Sequence, residues 1–414
     1  MRGNLWILST GTELTRGYSQ DTNSSEIAQY FVENGFTISG IAILPDDKEI
    51  LVKYIEFLLE DSSIQGIILT GGLGPTEDDH TIDVFQKITG LSIIEEKNSL
   101  KKLEEIAKTR KFNLDIARRQ IRVLEKSKIL FNPVGIAPGM ILEYKNKLVA
   151  ILPGVPEEMR SMLPSVLKEF SDKYPEKNFY HKEIFYIYNE PESEFQKNLS
   201  EIQKRLDTNF SWGVSANIGY LKIFIENTKP EQQEIFRSLY QEIQSFYKEK
   251  FLKTPIEQLI HKILIKEKKT LAIAESCTGG FLAKILTDTP GSSEYFLGSV
   301  VSYSNQLKKI FLDVEEEILN QYGAVSKECA EAMLKGLIQK TNPDFAISIT
   351  GIAGPSGGTK EKPVGVVYIG VYDSKTIEIQ KIFFPSTRDR IRKYSIFTAL
   401  FFLYQKLKKV LQTN

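Results

Sequence analysis

Residues 64–79 read IQGIILTGGLGPTEDD, and this stretch decides the fold. An unbroken apolar run with no polar alternation marks a strand buried on both faces, and the glycines after it turn it into a loop. Working outward, FTISGIAILPDD (36–47) is a second strand, and KEILVKYIEFLLED (48–61) has helical spacing between the two. Further back, LWILSTGTEL (5–14) is strand then turn, and SSEIAQYFVENG (24–35) is a helix stopped by glycine. Strands alternating with helices predict a parallel sheet with helices on both faces over about residues 1–168. In such sheets ligands sit at the carboxyl ends of the strands.

Three loops fall at those ends: STGTEL, LPDD and TGGLGPTEDDHT. Gly71, Gly72 and Gly74, with Thr76 beside them, suit a cradle for a pyrophosphate, because glycine lets backbone N–H groups approach closely. Asp78 and Asp79 offer hard oxygen ligands for a divalent cation, and Asp46 with Asp47 ends the neighbouring strand. Capping of the next helix competes as a role for Asp78 and Asp79. Two acids directly after a glycine loop, with more acids on the adjacent strand end, favour metal. His80 reads as an exposed or supporting residue and not as a ligand.

Residues 170–252 differ in character. The segments KEIFYIYN, FSWGVSAN and YLKIFIEN read as strands, with ESEFQKNLSEIQKRL and EQQEIFRSLYQEIQSFYKEKF as helices. A β-α-β-β-α order predicts a small α+β module serving as a spacer or dimerisation unit. From about residue 255 to 414 the α/β alternation returns, with strands TLAIAES, GSVVSYS, FAISITG, VGVVYIGVYD and IEIQKIFF and a final helix from about Arg388.

The chain has 414 residues, long enough for two or three domains. Lys+Arg and Asp+Glu both number 53, so there is no electrostatic footprint for nucleic acid or an anionic membrane. The apolar runs are too short for a membrane span and the first residues lack a signal-peptide pattern, which predicts a cytoplasmic protein. Only Cys277 and Cys329 are present, so a disulfide framework and a thiolate metal cluster are both excluded.

Within LAIAESCTGGFLAKIL (271–286), Ser276 sits between a strand and a helix, a common setting for an exposed nucleophile. The N–H groups of Cys277, Thr278 and Gly279 at the helix start are candidate oxyanion donors. An N-cap serine with packing glycines after it accounts for the motif equally well. A nucleophilic serine needs a base, yet His80, His181 and His261 all precede it. The next strand end, SVVSYSNQLKK, supplies Tyr303 and Lys308, and a desolvated lysine can serve as the base. Lys308 is expected to be buried beside Tyr303. In SITGIAGPSGG (348–358), Thr350, Gly351 and Gly354 form a phosphate candidate, and Arg388, Arg390 and Arg392 stand near a helix start where a phosphate can be clamped.

The strings AESCTGG, YSNQLKK, GAVS, TGIAGPSGG and KPVGVVY resemble the C-terminal domain of the CinA family. That resemblance implies hydrolysis of nicotinamide mononucleotide to nicotinic acid mononucleotide and ammonia, with a Ser-Tyr-Lys arrangement on Ser276, Tyr303 and Lys308 and no cofactor. Where the family usually carries Gly-Asp-Arg, this chain reads Ser386-Thr387-Arg388, keeping the arginine. GTELTRGYSQDTN, TGGLGPTEDDHT, NPVGIAPGM and LPGVPEEM resemble the family's other half, which is similar in fold to molybdopterin-binding domains. The implied activity there is cleavage of ADP-ribose to AMP and ribose 5-phosphate with a divalent metal (Mg, Mn or Co) at Asp46, Asp78 and Asp79. The implied fold class is α/β: a molybdopterin-binding-like parallel-sheet domain, a KH-like α+β middle module and a C-terminal α/β/α domain. The middle segment has only Gly213 and Gly219, so the GxxG clamp of a nucleic-acid-binding KH domain is missing. The expected partners are therefore nucleotides and a second copy in a homodimer, with no nucleic acid and no membrane. The competing class is a competence-associated interaction protein whose N-terminal half binds nucleotides without hydrolysing them.

Overall fold

The computed structural model describes residues 2–109, 113–175, 181–208 and 210–412. The chain divides into two compact units, Met1–Tyr180 and His181–Asn414. Among the described residues no helix is long and apolar enough to cross a membrane.

The first unit is built on a six-stranded sheet. Its strands are β1 (Asn4–Thr10), β2 (Thr37–Leu44), β3 (Gly66–Thr70), β6 (Lys128–Leu130), β7 (Gly139–Tyr144) and β8 (Lys147–Leu152), in the order β2-β1-β3-β8-β7-β6. A separate pair, β4 (Ile93–Glu95) and β5 (Arg122–Leu124), lies outside it. Helices Asn23–Glu33 and Lys48–Glu60 make the crossovers between the first three strands. In β3, Ile67 and Leu69 enter one apolar cluster and Ile68 the opposite one, so the strand is buried on both faces.

The sheet is not wholly parallel, which corrects the sequence expectation. β2, β1, β3 and β8 run parallel, but β7 and β6 are antiparallel to their neighbours. The cause is local. Lys145 and Asn146 both have positive φ (49° and 63°), the geometry of a two-residue hairpin that folds β7 back onto β8.

The second unit contains two sheets. β9 (His181–Tyr188), β10 (Ser211–Asn217), β11 (Tyr220–Asn227) and β12 (Phe251–Leu252) form an antiparallel sheet in the order β10-β11-β9-β12, with helices Glu192–Arg205 and Gln233–Tyr247. This is the β-α-β-β-α order read from the sequence, with one short strand added. Tyr188 anchors the module to the C-terminal helices: its ring stacks on Phe401, and its hydroxyl accepts the Ile256 N–H at 2.9 Å.

The last sheet comprises β13 (Leu271–Glu275), β14 (Phe296–Val301), β15 (Phe345–Gly351), β16 (Val366–Tyr372) and β17 (Ile377–Phe383), in the order β14-β13-β15-β16-β17. The first three are parallel and the last two antiparallel. Leu271 and Ile273 pack into the core beneath helices Ile256–Lys266 and Arg388–Gln412, while Ala272 and Ala274 face the core under helix Lys327–Thr341. The three layers are helix, sheet, helix, as expected. The carboxyl end of β13 delivers Ser276.

Candidate functional sites

Ser276 comes directly after β13, and its N–H is held by the Ile349 carbonyl at 2.9 Å. The chain then turns through Gly279 and Gly280, both left-handed (φ 62° and 87°), before the short helix Phe281–Thr287. A side chain there would strain the turn. The expected donor set needs correction. The Gly279 N–H is spent on the Ser276 carbonyl at 3.1 Å, and the N–H groups of Gly280, Leu282 and Ala283 are taken by the carboxylate of Glu275. Among the described residues the N–H groups of Cys277 and Thr278 meet no carbonyl, so these two remain as candidates for the oxyanion donors.

Lys308 lies on helix Asn305–Leu312, capped by Ser304, and only 1% of it is exposed. Its Nζ stands 2.9 Å from Ser276 Oγ, 2.7 Å from the Ser302 carbonyl and 3.5 Å from the Tyr303 carbonyl. No carboxylate pairs with it among the described residues. Burial pushes its pKa below the usual lysine range, with the nearby Cys329 and Cys277 thiols acting weakly the other way. A neutral amine has two N–H donors and one lone pair. In that state the two carbonyls can take the donors and the lone pair can receive the serine proton, whereas the charged form donates to all three oxygens. The neighbouring Lys309 instead pairs with Glu316 at 3.2 Å.

Tyr303 is placed differently from the expectation. It is 58% exposed and does not bury Lys308; its hydroxyl accepts a hydrogen bond from Arg388 at 2.8 Å. The helix that carries Lys308 packs instead against helix Lys327–Thr341, whose Cys329 lies near enough to act on the lysine's charge. Cys277 is buried and its thiol is pushed up to about 12, which leaves it a poor competitor for the nucleophile role.

The phosphate loop is also partly corrected. Thr350 and Gly351 are the last residues of β15 rather than loop residues, and Thr350 is buried with its hydroxyl donated to the Ala324 carbonyl at 2.6 Å. A Cβ on Gly351 would stand 2.5 Å from Val367, so this glycine serves strand packing. Gly354 does lie in the loop, with φ 75°, and its carbonyl accepts from Arg388 at 2.9 Å. Arg388 thus joins Gly354 to Tyr303 at the mouth of the site. Arg392 donates to the Thr278 carbonyl at 2.7 Å and braces the nucleophile turn instead of waiting for a phosphate. Glu275 was missed from sequence, although an acid closing an apolar strand run is a signal in itself.

In the first unit, the loops after β1, β2, β3 and β8 enclose a cavity of about 620 Å³. Gly71 and Gly72 are left-handed (φ 109° and 65°), and an added Cβ would stand 2.4 Å from the Thr10 carbonyl or 2.2 Å from Thr81 Oγ1. At Gly74 it would meet Asp79 at 2.5 Å. The glycines therefore let polar groups close on the backbone, as a phosphate cradle requires. Thr76 donates to Asp79 through both its N–H (2.8 Å) and its hydroxyl (2.6 Å).

Asp46, Asp78 and Asp79 line this one cavity but do not converge on a point. Among the described residues no group of three His, Cys, Asp or Glu stands ready to hold a metal. Asp46 accepts from Thr10 Oγ1 and from the Thr12 N–H (2.7 Å), so it orders the first loop. Asp47 leaves the set altogether, since it caps helix Lys48–Glu60 through the N–H groups of Glu49 and Ile50, both at 3.0 Å. Asp78 is exposed and makes no hydrogen bond or ion pair among the described residues. Its free oxygens and Asp79 Oδ1 are hard donors of the kind that hold a divalent cation jointly with substrate oxygens. Glu13 and Glu158, not singled out from sequence although they lie in GTELT and LPGVPEEM, also line the cavity, whereas among the described residues no Lys or Arg does.

Two family models match the chain: the CinA C-terminal domain over residues 253–407, and the probable molybdopterin binding domain over residues 6–173. A CinA-like protein of Leptospira interrogans is 39% identical over 419 residues, covering 98% of each chain. A CinA-like protein of Leptospira biflexa is 40% identical over 413 residues, covering 97% of this chain and 98% of its own. One from Syntrophomonas wolfei is 35% identical over 413 residues with the same coverage.

Proposed function

This chain belongs to the CinA family, and from that premise we propose that it is a bifunctional hydrolase of pyridine-nucleotide recycling. The second unit releases ammonia from nicotinamide mononucleotide. The first splits ADP-ribose-type diphosphates, with ADP-ribose giving AMP and ribose 5-phosphate.

The observation that carries the first activity is the buried contact of 2.9 Å between Lys308 Nζ and Ser276 Oγ. Neutral Lys308 takes the serine proton as Oγ attacks the carboxamide carbon. The resulting oxyanion is held by the N–H groups of Cys277 and Thr278. Collapse breaks the C–N bond, and Lys308 returns the proton to the departing nitrogen, which leaves as ammonia. Water, deprotonated by the same lysine, then cleaves the ester and frees the nicotinic acid nucleotide. Arg388 is placed to meet the substrate phosphate, exchanging its contact with Tyr303 for the anion.

In the first unit, the five carboxylates Glu13, Asp46, Asp78, Asp79 and Glu158 line the cavity, and among the described residues no Lys or Arg lines it with them. Five carboxylates repel a diphosphate, and a cation bound with it offsets that repulsion. A divalent ion bound by Asp78 and Asp79 together with phosphate oxygens would neutralise charge and polarise the phosphorus. Asp46 holds the Thr10–Thr12 turn, and the Gly71–Gly74 backbone lies against the diphosphate.

The deciding assay is ammonia release from nicotinamide mononucleotide and AMP release from ADP-ribose with Mg²⁺, Mn²⁺ or Co²⁺, on the purified chain. Binding of both nucleotides without turnover of either would overturn the reading in favour of a nucleotide-responsive interaction protein.

A further inference from the structure

Glu275 is completely buried. Leu271 and Ile273, which precede it on the same face of β13, fill apolar core, so a carboxylate stands where the pattern calls for a hydrocarbon. Its Oε2 accepts the N–H groups of Gly280 and Leu282, both at 3.1 Å. Its Oε1 accepts the Ala283 N–H at 3.0 Å and the Ser299 hydroxyl at 3.3 Å. The backbone of the same residue accepts the Ser302 N–H at 2.8 Å.

An ordinary helix cap sits immediately before the helix and bonds two or three residues ahead. Glu275 reaches five, seven and eight residues ahead, so its bonds close around the whole turn that carries Ser276. Through Ser299 and Ser302 it also ties that turn to β14 and the segment leading to Lys308. We propose that Glu275 is a positioning residue for Ser276: it fixes the nucleophile turn against the strand that leads to Lys308. By consuming the helix-start N–H groups, it also leaves Cys277 and Thr278 as the anion donors. The inference rests on the reading of Ser276 as the nucleophile. A glutamine cannot replace the carboxylate, because its NH₂ would face backbone donors.

The test compares wild type with Glu275→Gln and Ser299→Ala. Two quantities are read: the rate at which a fluorophosphonate labels Ser276, and ammonia released per labelled serine. Glu275→Gln should slow both by about 100-fold, the effect of a small misplacement of a reacting group, with KM unchanged. The pH midpoint set by Lys308 should not move. Ser299→Ala, which removes one of four donors, should slow both several-fold with the melting temperature preserved, and it decides the matter if Glu275→Gln fails to fold. Wild-type rates per labelled serine in either folded variant would reduce Glu275 to a structural cap and overturn the proposal. Wild-type protein that takes the phosphonate but releases no ammonia refutes the amidase reading alone, and the labelling rates still decide Glu275. Wild-type protein inert to the phosphonate refutes both.

Discussion

Lys308 Nζ meets Ser276 Oγ at 2.9 Å while two backbone carbonyls occupy its remaining directions. These three oxygens can receive the three donors of an ammonium or, with the serine as donor, surround an uncharged amine; burial lowers the lysine's pKa and favours the second. The rate of ammonia release should therefore rise with pH and level off once Lys308 is neutral, at a midpoint below that of a free lysine. Lys308→Arg keeps the charge but cannot give up a proton, so both it and Lys308→Met should lose about 10²–10⁴-fold in kcat. An arginine variant with much of the wild-type kcat would make Lys308 a mere anchor for the phosphate.

The same depressed pKa has a thermodynamic consequence. Below the folded-state pKa of Lys308 the cost of burying its charge is present in full. Between that value and the higher unfolded value the unfolded chain binds more protons, so stability must rise with pH. Urea unfolding of wild type and Lys308→Met over neutral to moderately alkaline pH should give a steeper rise for the wild type. Parallel curves would mean that Lys308 titrates as it does in the unfolded chain.

Ser276→Ala should abolish ammonia release and leave ADP-ribose cleavage near the wild-type rate, since the two sites lie in separate compact units. Cys277→Ser should stay active, because the buried Cys277 thiol, pushed up to about 12, supplies almost no thiolate at neutral pH. A dead Cys277→Ser beside a live Ser276→Ala would move the nucleophile to the thiol.

Ser276 was legible because it ends an apolar strand run and precedes two glycines, a pattern that local sterics dictate. Lys308 stood out from Lys309 only through the family resemblance; the structure supplies the physical difference, since Lys308 shares the buried face with Leu312, four residues on, while Lys309 turns outward to Glu316. What escaped was non-local. Strand periodicity cannot give direction, so the antiparallel β7 and β16 did not register. Thr350 reads as a loop donor until its hydroxyl is seen bonded to Ala324, 26 positions away. Likewise the role of Asp46 depends on Thr10 and Thr12, which the fold brings to it from 36 and 34 positions away.

Tyr303 is exposed and bonded to Arg388, not to the serine. Tyr303→Phe should leave the fluorophosphonate labelling rate of Ser276 unchanged and raise KM for nicotinamide mononucleotide several-fold, because Arg388 loses one of the two oxygens that aim it. Arg388→Lys should raise KM further, since a point charge cannot span both partners. A fall in labelling rate in Tyr303→Phe would instead place the phenol in the proton path.

Metal dependence should divide the two activities. Around Ser276 the nearest carboxylate, Glu275, is saturated by four donors and buried, so it has nothing to offer an ion. Among the described residues of the other cavity, Asp78 is unbonded, Asp79 keeps one oxygen free, and no Lys or Arg lines the wall. EDTA should therefore stop ADP-ribose cleavage and spare ammonia release. Asp78→Asn should remove ADP-ribose cleavage at any metal concentration that supports wild type. Thr76→Val, which frees Asp79 from its hydroxyl partner, should raise the metal concentration for half-maximal rate by about tenfold. Ammonia release that vanishes with EDTA and returns with Zn²⁺ would overturn the Ser-Lys assignment, and ADP-ribose cleavage indifferent to chelator would leave the five carboxylates without the counter-charge the diphosphate requires.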